Sequence, residues 1–210
     1  MDTAHIVELV APYLGDANTL TSEQAENIST YVNILMKWNA RMNLTAVRTR
    51  DEMISRHFGE SLFAARHLLS ADSRCSVIDV GSGAGFPGLV LKIFAPGLSL
   101  MLVESQNKKA TFLKEIVRQL SLSDVEVLNV RAEKVGLRAE LVTFRAVEKF
   151  ESIAPTAARL VSPGGRLAML IGSAQVQAAH QFVPGAWQLP IMVPGSAARV
   201  LAVCRPKLAS

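Results

Sequence analysis

At 210 residues, half of them hydrophobic, the chain has room for one domain, or one domain with an appendage, and can bury a large core without staples. Its net charge is +4, from 22 Lys and Arg against 18 Asp and Glu. Two cysteines, Cys75 and Cys204, are too few for a disulfide framework and lack metal-ligand spacing, so both read as buried thiols and no metal site is expected.

Asp2 and Glu8 bracket a start unlike a signal peptide, and no apolar run approaches a membrane span. A soluble, cytoplasmic, monomeric protein without a membrane partner is the expectation. Residues 1–70 read as a helical extension. Thr21-Ser22-Glu23-Gln24 has the form of a capping box, in which the Thr21 hydroxyl and the Gln24 side chain satisfy each other's backbone N–H. Ile28, Tyr31, Val32, Leu35, Trp38 and Met42 then recur with the spacing of one helix face. Asn39 to Thr45 breaks that pattern. A further helix is expected over about 51–69, with Met53, Ile54, Phe58, Leu62 and Phe63 inward.

From Cys75 the rhythm changes, and residues 71–210 read as a second unit. Strands are expected at 76–80, 98–103, 125–130, 141–144 and 166–171. Helices are expected between them at 88–94, 107–120 and 153–160. This alternation implies βαβ units and a parallel sheet. Pro163-Gly164-Gly165 reads as a tight turn into the strand at 166–171. In the tail, Gln188–Val193 and Arg199–Val203 flank Pro194-Gly195-Ser196 and read as an antiparallel pair. The expected fold is α/β: a parallel sheet with helices on both faces, an antiparallel C-terminal hairpin and the N-terminal helical extension. That layout is similar to the Rossmann-like class I methyltransferases.

The strand ending at Asp79 runs straight into Gly81-Ser82-Gly83-Ala84-Gly85-Phe86-Pro87-Gly88. A glycine loop there lies at the carboxyl edge of the sheet, where open α/β folds bind ligands. Glycines permit a tight turn and close approach of a ligand, and Pro87 suits a first helical turn. The dinucleotide fingerprint is G-x-G-x-x-G; here the third glycine comes one residue early, and Phe86 stands where that fingerprint has glycine. Asp79 would repel a pyrophosphate but favours a cationic ligand. Glu104 ends the next strand, where a carboxylate can accept from ribose hydroxyls. The loop with these two acids points to S-adenosylmethionine, which carries an ammonium and a sulfonium and no phosphate.

Charge is unevenly spread. From Ser152 onward the sequence holds Arg159, Arg166, Arg199, Arg205 and Lys207 and no Asp or Glu. Arg41, Arg48, Arg50, Arg56 and Arg66 form a second basic stretch against Asp51, Glu52 and Glu60. Such asymmetry suits a polyanion, although a solvated surface would read the same way.

Several separate blocks resemble one family. Trp38-Asn39, Met42-Asn43-Leu44-Thr45-Ala46, His57-Phe58-Gly59-Glu60-Ser61-Leu62, the Asp79–Gly88 loop, Glu104-Ser105, Lys108-Lys109, Phe112-Leu113, Arg131-Ala132-Glu133 and Arg145-Ala146 follow in order. They are similar to the motifs of the RsmG (GidB) family of small-subunit ribosomal RNA guanine-7 methyltransferases, over about residues 25 to 205. The resemblance implies cofactor contacts at Gly81, Phe86, Ala132, Glu133 and Arg145, with Ala132-Glu133 flanking the adenine and Glu104 the ribose. Asp79, Gly83 and Gly85 complete the expected cofactor set. It further implies transfer to nitrogen 7 of guanine 527 in 16S ribosomal RNA, with that RNA or the small subunit as partner. Two departures stand out: Glu60 where the family usually has Asp, and Ile171-Gly172 where Lys-Gly is common, leaving Arg145 or Arg166 to supply charge.

Nitrogen 7 of guanine has an exposed lone pair and no proton. In-line displacement on a sulfonium methyl therefore needs no general base, and catalysis is mainly positioning. No catalytic residue is named on this ground; Arg145, Glu60 and His57 are the positioning candidates. His57 also reads as a structural histidine, Asn39 and Asn43 as braces near a helix end, and Trp187 as core. The alternatives are a small-molecule methyltransferase, a non-catalytic ribosome-assembly factor that retains the fold, and a nicotinamide-dependent oxidoreductase. The last is disfavoured by Phe86 and the hairpin tail.

Overall fold

The computed structural model describes residues 2–15, 19–145 and 149–207. Helix α1 (Thr3–Leu14) starts at the Asp2 cap and buries Ile6, Val10 and Leu14. Helix α2 (Ser22–Met42) begins with the expected capping box, Gln24 N donating to Thr21 Oγ1 at 3.2 Å and Thr21 N to Gln24 Oε1 at 2.9 Å. It buries Ile28, Tyr31, Val32 and Leu35 and ends at Asn43, whose φ of 49° is left-handed. The helix expected over about 51–69 is three pieces: α3 (Arg50–Met53), a π-helical turn (Ile54–Gly59) and α4 (Glu60–Leu68). Met53, Ile54, Phe58, Leu62 and Phe63 all face inward. Burying each such side chain contributes about 1.5–3 kcal/mol.

The remainder alternates as expected as far as β5, and then adds a helix and a short strand that the sequence did not mark: β1 (Ser76–Val80), α5 (Gly88–Phe94), β2 (Ser99–Val103), α6 (Asn107–Gln119), β3 (Val125–Leu128), β4 (Ala139–Arg145), α7 (Phe150–Arg159), β5 (Val161–Gly172), α8 (Val176–Phe182), β6 (Gly185–Trp187), β7 (Ile191–Met192) and β8 (Arg199–Pro206). The sheet order is β3-β2-β1-β4-β5-β8-β6, with β7 also on β8. Strands β3 to β5 on this path run parallel, and β8 is antiparallel to β5. Side chains alternate between two cores, as period 2 requires. Val77, Leu141 and Leu170 face the N-terminal helices, α5 and α6; Ile78, Val142 and Ile171 face α7 and α8.

Two expectations need correction. The tail is more than a hairpin: Ile191 and Met192 do pair with β8, but β8 lies inside the sheet, and β6 pairs with its other end. Strand β6 is only three residues long, too short to leave a period in the sequence. Pro163-Gly164-Gly165 is an excursion within β5, because Val161 already pairs with Ala139 before Arg166 pairs with Leu141. Among the described residues no helix is long and apolar enough to cross a membrane.

Candidate active site

The glycine loop is fixed by its own backbone. Gly81 N and Ser82 N both donate to Val103 O, at 2.8 and 3.1 Å, which ties the loop to the end of β2. Gly81, Gly83 and Gly85 have φ of 65°, 56° and 88°, where a side chain is strained. Gly85 also makes room for helix α2: an added Cβ would collide with the Tyr31 hydroxyl and Leu89. That hydroxyl donates to Ala84 O, and the Tyr31 ring stacks on Phe86 with centroids 5.6 Å apart. Tyr31 had no mark in the sequence beyond its place on the buried face of a helix.

Asp79 stands behind this loop. It is fully buried; Thr143 Oγ1 donates to its Oδ1 at 2.9 Å and Gly88 N to its Oδ2 at 3.2 Å. Burial pushes its carboxyl up to about 7, opposed by the hydrogen bonds from Thr143 and Gly88. Both oxygens thus hold protein, and Asp79 is not on the wall of the cavity that the loop borders.

That cavity has a volume of ≈ 540 Å³. On one side it is lined by Gly81, Ser82, Gly83, Ala84, Phe86, Glu104 and Gln106. Glu104 is 5% exposed; its Oε2 accepts from Gly83 N at 2.9 Å and its Oε1 from Gln106 N at 2.8 Å. Each oxygen keeps a further lone pair, which is what a vicinal diol needs. An added Cβ on Gly83 would meet only Gly81 O, at 3.7 Å, so the space beside the loop is open to a ligand. A carboxylate, bare glycine backbone and the apolar Phe86, Ile153, Leu170 and Ile171 fit an adenosyl group with a cationic, phosphate-free end.

The opposite side is made by Leu44, Thr45, Ala46 and Val47 with Arg56, His57, Arg145 and Arg199, and Lys109 stands at α6. Side chains hold this wall. Buried Asn39 accepts from Thr45 N at 2.8 Å and donates to Val47 O at 3.1 Å, so it clamps the segment at two points. His57 Nδ1 lies 3.0 Å from Arg145 Nη2, which can only donate. Nδ1 is therefore the acceptor, and Nε2–H donates to Thr45 Oγ1 at 2.6 Å. Burial, then Arg145, Arg56 and Arg199, lowers His57 to about 3, so the ring is neutral at pH 7 with both nitrogens engaged. It stacks on Phe86, linking the two walls at 5.0 Å.

Arg145 leaves the end of β4 and reaches the π-helical turn, whose wider winding displaces its carbonyls from regular α-helical bonding. Its Nη1 donates to His57 O at 3.4 Å and its Nη2 to Arg56 O at 3.2 Å. Its Nη2 also pairs with Glu60 Oε2 at 3.0 Å, in ion-pair contact without hydrogen-bond alignment. Arg199 Nη2 takes the other oxygen, Oε1, at 2.5 Å. Burial lowers Arg145 to about 10, which leaves it charged at neutral pH. Glu60 is 1% exposed; burial pushes its carboxyl up, and Arg145, Arg199 and Arg56 oppose that rise.

Gly81, Gly83, Phe86, Glu104, Arg145 and His57 thus share one cavity. Asp79, Gly85 and Glu60 support it without lining it. Ala132 and Glu133 lie on a turn after β3: Ala132 packs into the α7 side of the core, Glu133 is exposed with its carbonyl near Arg159, and neither borders the cavity. Arg166 is at the far end of β5, donating to Leu68 O, and cannot stand in for a lysine at Ile171. Ile171 itself is buried in the cavity wall. Ala146 lies outside the described residues. The sequence singled out neither Thr45 nor Arg199 individually, although Thr45 sits within a family motif.

The family model described as rRNA small subunit methyltransferase G matches residues 24–185. The chain belongs to this family. It is 39% identical over 173 residues to the Ribosomal RNA small subunit methyltransferase G of Stenotrophomonas maltophilia, covering 80% of this chain and 79% of that one. The protein of the same description from Chloroflexus aggregans is 44% identical over 154 residues, 70% of this chain. There the match spans 64% of the relative's length, just under two thirds. The fold is also that of the ribosomal protein L11 methylase from Lactobacillus delbrueckii subsp. bulgaricus, with a TM-score of 0.62 at 13% identity, covering 73% of this chain and 80% of that chain. The methyltransferase fold and the family are therefore established by independent comparisons, one structural and one of sequence.

Proposed function

We propose that this chain transfers a methyl group from S-adenosylmethionine to nitrogen 7 of a guanine in 16S ribosomal RNA, guanine 527 by analogy with the family, and acts in the cytoplasm as a monomer. The observation that carries the reading is the division of the cavity. A carboxylate and glycine backbone share its lining with Arg56, Arg145 and Arg199. The first wall suits a cationic nucleoside; the second suits a polyanion.

When bound, S-adenosylmethionine supplies a methyl group activated by the sulfonium. Gly81, Gly83 and Phe86 would border it, and Glu104 would accept from its ribose. The chain's own part is to orient and to exclude water. His57 keeps its proton on Nε2 and stiffens the Leu44–Val47 segment, so it does not act as a base. Glu60 sits between two guanidiniums and fixes their direction. A guanine nitrogen 7 has no proton to remove, which agrees with a site whose one histidine is neutral with both ring nitrogens engaged. The deep major groove of an RNA helix hides that atom, so the target has to be turned out of a loop.

The test is incubation with labelled S-adenosylmethionine and, separately, naked 16S RNA, small subunits and a pool of small metabolites. Label in RNA, recovered as 7-methylguanosine, is the expected result. Label in metabolites alone, or in another base position, overturns the reading.

A further inference from the structure

A second groove, of ≈ 790 Å³, lies outside the cavity between α2 and α6. Its floor is Trp38, half-buried against Phe112 with ring centroids 5.6 Å apart. Its rim carries Lys37 and Arg41, one helical turn apart and both exposed. Neither makes an ion pair among the described residues. The one carboxylate in the groove, Glu115, already accepts from Trp38 Nε1 at 3.1 Å. The groove therefore offers two uncommitted cations beside an aromatic face, together with the exposed polar side chains of Thr30 and Gln119.

This groove is continuous with the cavity along the chain. Met42 borders the groove and Leu44 borders the cavity, two backbone steps and at most about 7 Å apart. Helix α6 makes the same connection: Lys109 faces the cavity and Glu115 the groove, separated by about 9 Å of helix axis. Lys108, Lys114 and Arg118 are exposed on that helix.

We propose that the α2–α6 groove is a second RNA-docking site, which holds the sugar–phosphate backbone of nucleotides flanking the target base. This rests on the reading that RNA is the substrate. Lys37 and Arg41 meet the phosphates. The positive charge of rim and helix, with the lone acid turned to the Trp38 indole, selects an RNA strand over a cationic or neutral partner. Two contacts to single-stranded RNA add about 1.4 to the slope of log affinity against log salt.

The experiment compares the wild type with the double variant Lys37→Ala/Arg41→Ala. Four quantities are measured: salt-dependent binding to deproteinised 16S RNA, KM and kcat on small subunits, Kd for S-adenosylmethionine, and Tm. The expected result is a salt slope shallower by about 1.4, a KM raised about tenfold, and kcat and cofactor Kd unchanged. An unchanged slope and KM overturn the proposal, as does a fall in Tm alone, which would make Arg41 a helix cap only. An unchanged slope on naked RNA with a raised KM on subunits assigns the groove to a ribosomal protein and also overturns it. A wild type that binds RNA in neither form removes the functional reading itself, a failure distinct from the others.

Discussion

The two walls of the cavity are built by different means. The glycine-loop wall is held by backbone: left-handed glycines, paired N–H groups on Val103 O, and Glu104 gripping Gly83 N and Gln106 N. The facing wall is held by side chains reaching across the fold from three elements: Asn39 on α2, His57 and Glu60 around the π-helical turn, and Arg145 on β4. A wall made of backbone can accept only small changes of sequence. A wall made of side chains can be retuned residue by residue. Glu60, which the sequence marks as a departure from the family motif, lies behind a surface of this second kind.

The largest expected effect comes from Glu60. Replacing it with Ala leaves Arg145 and Arg199 facing each other without their carboxylate, and breaking a buried pair in this way costs about 3–5 kcal/mol. Urea denaturation should show that loss. Glu60→Gln, wherever it folds, should retain turnover; complete loss of turnover with cofactor binding intact would make Glu60 a chemical participant. Next comes Glu104→Ala, which strips charged acceptors from the cofactor wall and should weaken S-adenosylmethionine about 100-fold, with calorimetry as the measure. Asn39→Ala acts on the other wall. It releases Thr45 N and Val47 O together, and KM for the RNA substrate should rise about tenfold while cofactor Kd moves less than twofold.

Much of this arrangement was legible in the sequence, and what was missed has a physical pattern. The parallel strands, the capping box and the Asp79–Gly88 loop each leave a local signature of period, side-chain chemistry or glycine spacing. The loop's dependence on Tyr31 does not, because that contact joins residues 53 positions apart in the chain. Nor does the π-helical turn, whose apolar spacing reads as an ordinary helix. Asp79 was expected to meet the ligand from its place beside the glycines. The structure turns it inward to Thr143 and Gly88, a direction that spacing along one strand cannot specify. Arg199 emerged only as one charge in a basic tail, because its partner Glu60 lies far away in sequence.

The most specific effects concern pH. Asp79 holds its proton to about 7 in the folded chain against an ordinary 3.8, so the folded state binds more protons across that window. Its contribution to stability falls as pH rises from about 4 to 7. His57 does the reverse. At about 3 against an ordinary 6.5, it binds fewer protons when folded, and its contribution is lost as pH falls below about 6.5. In the wild type the two trends oppose each other. Asp79→Asn should leave the His57 trend, with stability falling toward acid by at most about 1.4 kcal/mol per pH unit. His57→Gln should leave the opposite trend. Denaturation curves at pH 4.5, 5.5 and 6.5 separate the two variants, and identical profiles would contradict both assignments.

The division of labour between the walls is most directly tested by measuring both ligands on both single-wall variants. Equilibrium binding of S-adenosylmethionine and of 16S RNA to Glu104→Ala and to Asn39→Ala, side by side at one salt concentration, gives four affinities. The predicted result is a crossed pattern, with cofactor binding about 100-fold weaker and RNA binding kept in Glu104→Ala, and RNA binding about tenfold weaker with cofactor binding kept in Asn39→Ala. Two variants that weaken both ligands equally would contradict it.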